Sequence, residues 1–222
     1  MLAYIIRVFY FVENSNDMNI LNRVKGIITQ PKQEWNVVAG ETTTLSGVIT
    51  AYVIPLAIIG SLAAFIGYGF MGKNVVLYRM SGIAWGINMA VVHFISVIVT
   101  VIISTFIVDM LATSFGSEKN MNRSVQLVAY SYTPFLIGAF LSVIPALAII
   151  GSLFGLYGIY LWYLGLGPLK NTPEDKKAAY LIVSIIVLIV VFFIISAIIS
   201  SIMFAILGLG MYGGMGGSIN FS

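Results

Sequence analysis

The chain has 222 residues, 59% of them hydrophobic and only 9% charged, with a mean hydropathy of +1.02 and a net charge of +3. Soluble domains carry about 25% charged residues, so a water-soluble globule is excluded. The small net charge gives no nucleic-acid signal, and the absence of Cys removes disulfides, lipidated cysteines and thiolate metal sites.

Residues 1–17 contain an apolar run, Leu2–Val12, that holds Arg7 and is too short to span a membrane. No small-residue cleavage site follows it. The stretch reads either as an extension ahead of a start at Met18 or as an interfacial helix. Over 18–30, Ile20, Leu21, Val24, Ile27 and Ile28 fall at helical spacing, with Arg23 and Lys25 on another face. That pattern predicts an amphipathic helix, lying on the membrane surface or packed on a bundle. Pro31 suits the first turn of a second helix and Gly40 its end. Trp35 between them suits an interface anchor.

Long uncharged runs follow. Glu41 to Lys73 encloses 31 such residues, Arg79 to Asp109 encloses 29, and Arg123 to Lys170 encloses 46. A helix crosses the hydrocarbon in about 20 residues, so the longest run holds two spans. Their break is expected near Pro145–Ser152, as a tight turn without charge. The predicted fold is all-α: a polytopic bundle of five transmembrane helices at about 44–69, 82–108, 124–146, 150–168 and 178–207. Residues 1–43 form an N-terminal cytosolic or interfacial segment and 44–207 the membrane domain. The tail, 208–222, contains six Gly and is a poor helix. Pro55, Pro134 and Pro145 are the expected kinks or turn.

Five spans put the ends on opposite sides, and Lys and Arg choose which. With the N-terminus in the cytosol and the C-terminus outside, nine cations lie inside: Arg7, Arg23, Lys25, Lys32, Lys119, Arg123, Lys170, Lys176 and Lys177. Only Lys73 and Arg79 lie outside. This is the positive-inside bias. It marks Arg23, Lys25, Trp35, Lys119, Arg123, Lys170, Lys176 and Lys177 as candidates for contact with the membrane surface or a partner.

Three polar residues fall inside or at the end of span 2. His93, the single histidine, sits near its middle, followed on about the same face by Ser96, Thr100 and Ser104. An ionised group at that depth costs at least about 2.5–3.5 kcal/mol, so His93 is expected to face other helices. A hydrogen bond between helices is the plainer reading, and a proton relay or ion ligand the functional one. Asn88 and Asp109 point to other faces, with Asp109 expected at the interface and in reach of water. Gly82 and Gly86, and Gly151, Gly155 and Gly158, form small-residue stripes suited to close helix packing. Tyr157, Tyr160, Trp162 and Tyr163 form an aromatic belt toward the inner end of span 4. No paired-histidine metal motif, nucleophile elbow or nucleotide-binding loop is present, so neither a cofactor nor an enzyme activity is expected.

Three passages carry a family likeness: IITQPKQEW ahead of the first span, AYSYTPFLIGAFLSVIP over Ala129–Pro145, and LYGIYLWYLGLGPLKNTPEDKKAAY over Leu156–Tyr180. With the five-span plan, they make residues 18–205 resemble the bacterial branch of the Yip1 family. The resemblance implies a five-helix integral membrane protein with a cytosolic N-terminus. Eukaryotic relatives work in vesicle traffic and bind Rab GTPases through long N-terminal regions. This chain departs from them there, because its own N-terminal region is short. The expected function is a non-enzymatic protein of the bacterial inner membrane that binds a partner protein or organises lipid through its basic cytosolic face. Its expected partners are the bilayer, a membrane or cytosolic protein and a second copy of itself. The alternative is a small permease or channel with a broken-helix pathway near His93.

Overall fold

The structure, a computed structural model, describes residues 19–75 and 78–190, with backbone alone over 73–80. The chain falls into two units, Met1–Leu181 and Ile182–Ser222. Two short helices come first, α1 (Ile20–Thr29) and α2 (Pro31–Gly40). Asn19 caps α1 through the Asn22 amide, and Pro31 opens α2. Four helices long and apolar enough to cross a membrane follow: α3 (Leu45–Met71), α4 (Ile83–Phe115), α5 (Met121–Val143) and α6 (Pro145–Lys170). Each overlaps an expected span. A helix α7 begins at 174 and is described as far as 190. The rest of the fifth expected span, and all of 1–18 and 208–222, lie outside the described residues.

The irregularities have local causes. Pro55 cannot donate a backbone bond, and the helix ahead of it widens to a π-turn over Ile49–Val53. A second π-turn, Gly67–Met71, ends α3. A two-stranded hairpin, β1 (Lys73–Val75) and β2 (Tyr78–Met80), joins α3 to α4, a small departure from the expected all-α fold. Gly82, at φ +114°, turns the chain into α4. Pro134 sits in the first turn after Tyr132, where α5 resumes at Thr133. The α5–α6 break lies at Ile144, which is extended, with Pro145 starting the return.

The helices build two layers. In one, α3, α4 and the adjoining halves of α5 and α6 expose apolar side chains such as Leu62, Val92 and Leu156. In the other, α1 and α2 pack on the remaining halves of α5 and α6 around Trp35, Leu127, Tyr130, Leu161 and Leu166, all fully buried. The connectors 112–120 and 171–173 close this end. The Glu118 amide donates to the Lys170 carbonyl, and Ser117 bonds Thr172 at 2.8 Å.

Small residues make the close crossings internal to the chain. A Cβ on Gly151 would collide with the carbonyl of Gly138, and one on Gly138 with the carbonyl of Gly151. Gly86 packs on Gly69, and Gly158 on the Ser131 carbonyl. Gly155 makes only ordinary contact with Phe135, and a Cβ on Gly82 would meet nothing within 4 Å.

Candidate functional site

The second layer gathers the charges. Arg23, on α1, is buried and pairs with Glu34 of α2 at 2.5 Å and with Glu41 just past the end of α2. Its guanidinium also lies 5.2 Å from the Tyr130 ring centroid. Gly26 leaves room for the Glu34 carboxylate, which a side chain there would strike. Tyr130 in turn meets Tyr52 edge-on at 4.9 Å, and the Tyr52 hydroxyl bonds Thr133 at 2.6 Å.

Arg123 works on backbone. A helix leaves its last carbonyls without partners, and Arg123 donates to those of Val38, Ala39 and Glu41 at 3.1, 2.8 and 3.0 Å. A fourth bond goes to Gln126 at 3.1 Å. The side chain is half-buried and ties α5 to the end of α2.

A second ion pair lies wholly inside. Lys170, the last residue of α6, is 3.3 Å from Asp109 of α4, and their side chains are 0% and 4% exposed. Ser124 of α5 bridges them, accepting from Lys170 at 2.7 Å and donating to Asp109 at 3.0 Å. The third Lys170 proton reaches the Asn120 carbonyl at 3.4 Å. Asn120 also caps α5 through the Arg123 amide. One ammonium with three donors therefore locks the ends of three helices. Beside it, Tyr180 stacks on Phe115 and donates to the Val108 carbonyl.

The sequence-predicted surface residues thus divide. Arg23, Trp35, Lys170 and Lys177 are buried and Arg123 is half-buried. Lys25, Lys119 and Lys176 are exposed, as is Lys32. Trp35 is not a lipid-facing anchor. Gly165 opens a recess in α6, and the indole fills it. Asp109 does not reach water, because α5 and α6 cover it. Lys177 pairs with Glu174 at 2.5 Å and its ammonium lies over Gly167. The residues missing from the sequence reading are those partners: Glu34, Glu41, Asn120, Ser124 and Gln126. Their signal was the need of every charge near a span end for a counter-group.

His93 is half-buried, its ring against Gly60, and its Nε2 meets no hydrogen-bond partner. Asn88 is exposed and does not join it. Ser104 lies on the same helix, 3.5 Å from the Tyr132 hydroxyl. Among the described residues no three His, Cys, Asp or Glu gather to hold a metal ion.

Arg23 and Lys25 sit two residues apart and should behave oppositely. Arg23→Ala strands two carboxylates and is expected to cost about 2–4 kcal/mol, while Lys25→Ala stays within about 0.5 kcal/mol. Thermal unfolding of the purified protein in mild detergent measures both. Equal losses would show that the Arg23 cluster does not hold α1.

The sequence matches known proteins over most of its length. The Yip1 domain family model matches residues 25–196. Inner membrane protein YohC of Escherichia coli K12 is 22% identical over 165 residues, which is 72% of this chain and 85% of that protein. YohC of Escherichia coli O6:H1 strain CFT073 matches to the same extent. No solved structure matches. The matched segment takes in α2 through α6, the second half of α1 and the described part of α7, so the chain belongs to the Yip1 domain family of multi-pass membrane proteins.

Proposed function

We propose that the chain spans the bacterial inner membrane five times with its N-terminus in the cytosol. It catalyses no reaction, and its charged end organises anionic lipid or holds a partner protein at the inner face. One observation carries this reading. The buried cations of that end are consumed by Glu34, Glu41, Asp109 and Glu174, while Lys25, Lys32, Lys119 and Lys176 remain exposed at the same end. The paired cations build the scaffold, and the exposed lysines are left to face headgroups.

The lipid arm fits the geometry best. α1 and α2 lie against the inner half of α6, where the Tyr157 hydroxyl donates to the Ile28 carbonyl at 2.9 Å. Tyr160 borders an open cleft with Gln30, Pro31, Lys32 and Gln33. Lys32 thus sits beside an aromatic belt, which is headgroup depth, and Lys25 lies on α1 three residues before Ile28. Each lysine near an anionic surface contributes roughly 1 kcal/mol, or about fivefold in association. The double variant Lys25→Glu/Lys32→Glu spares every internal pair. In vesicles holding phosphatidylglycerol and phosphatidylethanolamine, it is expected to lower the preference for phosphatidylglycerol severalfold, read by spin-labelled lipid. Crosslinking in cells reads the partner arm. An unchanged lipid preference together with an unchanged set of crosslinked proteins would overturn the proposal.

A further inference from the structure

At the end remote from those lysines, the four helices do not rise to one height. Three contacts mark a common level: Tyr52 with Thr133, Ser104 with Tyr132, and Gly158 on the Ser131 carbonyl. Apart from Lys73 and Arg79 in the hairpin, the charged groups lie on one side of it, and the exposed apolar side chains lie mostly on the other. At 1.5 Å per residue, α3 rises about 28 Å from Tyr52 to Met71, and α4 about 31 Å from Ser104 to Ile83. Both match a hydrocarbon layer of about 30 Å. α6 rises only about 20 Å from Gly158 to Pro145. α5 rises about the same from Ser131 to Val143, even though its last turn is the longer 3-10 form. The α5–α6 leg is therefore one to two helical turns short, about 5–10 Å. A contact says so independently. The carbonyls of Ser142 and Val143 pack on Gly67, one turn before α3 ends at Met71 and well short of the hairpin beyond it.

We infer that the α5–α6 turn, Ile144–Leu147, ends inside the hydrocarbon, and that acyl chains of the leaflet remote from the charged end close over it. The turn is built for such a place. Its exposed side chains, with those flanking it, are Phe140, Ile144, Ala146 and Ile149, and the uncharged run from Arg123 to Lys170 contains it. Irregular backbone survives in lipid only when its polar groups are satisfied. Pro145 has no N–H, the Ile144 amide donates to Leu141 and the Leu147 amide to Ile144, while the Ser142 hydroxyl just before the turn is buried without a partner. Ser152 turns its hydroxyl back onto the Ile149 carbonyl at 2.6 Å. Lipid is the occupant because, among the described residues, the side chains exposed at the turn are apolar. Both legs return to the charged end, so the side on which Arg123 and Lys170 lie is unaffected. The inference goes beyond the proposed function and holds whatever the exposed lysines bind.

The chain has no Cys, so single cysteines report cleanly. Ala146→Cys places a nitroxide on the turn and Asn74→Cys one on the hairpin, each in the full-length protein in dioleoylphosphatidylcholine vesicles. The Ala146 label should collide with oxygen and be shielded at least tenfold from a water-soluble nickel chelate, relative to Asn74. A bimane at Ala146 should be quenched by lipid with brominated acyl chains. Nickel access equal to that at Asn74 would overturn the inference. Shielding from nickel without quenching by brominated lipid would show that protein, a second copy or residues 182–222, covers the turn, and would overturn the lipid assignment.

Discussion

Lys170→Met should destabilise the protein by about 3–5 kcal/mol, among the largest effects of any single change. The substitution keeps the length of the side chain and removes only the charge. Asp109 is then left as a carboxylate in a site with 4% side-chain exposure, with Ser124 as its remaining donor. Asp109→Leu should cost a similar amount for the mirror reason, since the Lys170 ammonium would keep only Ser124 and the Asn120 carbonyl. The double variant Asp109→Leu/Lys170→Met should recover most of the loss, because a buried pair often exchanges for apolar side chains at little cost. Denaturation in mild detergent, scored as a double-mutant cycle, reads all three. Single losses under about 1 kcal/mol, or losses that simply add, would show that the pair does not hold α4, α5 and α6 in register.

The same pair shows what could be read from the chain and what could not. The apolar runs were long, so the four long apolar helices overlap four expected spans, with ends that differ by up to about seven residues. The break at Ile144 follows from Pro145, a local cause. Pro31 and Gly40 bound α2 as their backbone preferences dictate. Side-chain direction was another matter. Counting Lys and Arg treats each as a surface charge, yet Lys170 meets Asp109 across 61 positions and Arg123 meets the end of α2 across more than 80. Those meetings exist only once the helices pack. Trp35 had the composition of an interface anchor, and the recess that swallows it is made by Gly165 on a helix far along the chain. Between Arg23 and Lys25, the helical register decides which faces inward: Arg23 shares the buried face of α1 with Ile20 and Ile27 and meets Glu34 and Glu41 there.

Gly151 gives the second large effect and reaches the far end of the molecule. Its Cα lies on the path of the Gly138 carbonyl, so the added methyl of Gly151→Ala meets backbone, which cannot swing aside as a side chain would. Overpacking of this kind costs typically about 1–3 kcal/mol, and here two backbones must part. Gly155, four residues on, has only an edge carbon of Phe135 at 3.8 Å beside its open face. Gly155→Ala should therefore gain up to about 1 kcal/mol from helix propensity. The two substitutions are chemically identical and lie one turn apart, so their opposite signs isolate the crossing from any general effect of alanine in α6. Gly138→Ala should match Gly151→Ala, because the contact is reciprocal. Unfolding in detergent measures all three. Forcing α5 from α6 at this crossing would also open the turn at Ile144–Leu147 just above it. A nitroxide on Ala146 should then lose its shielding from the nickel chelate in Gly151→Ala and keep it in Gly155→Ala. Equal stability of the two variants would mean that this crossing is looser than the backbone contact requires.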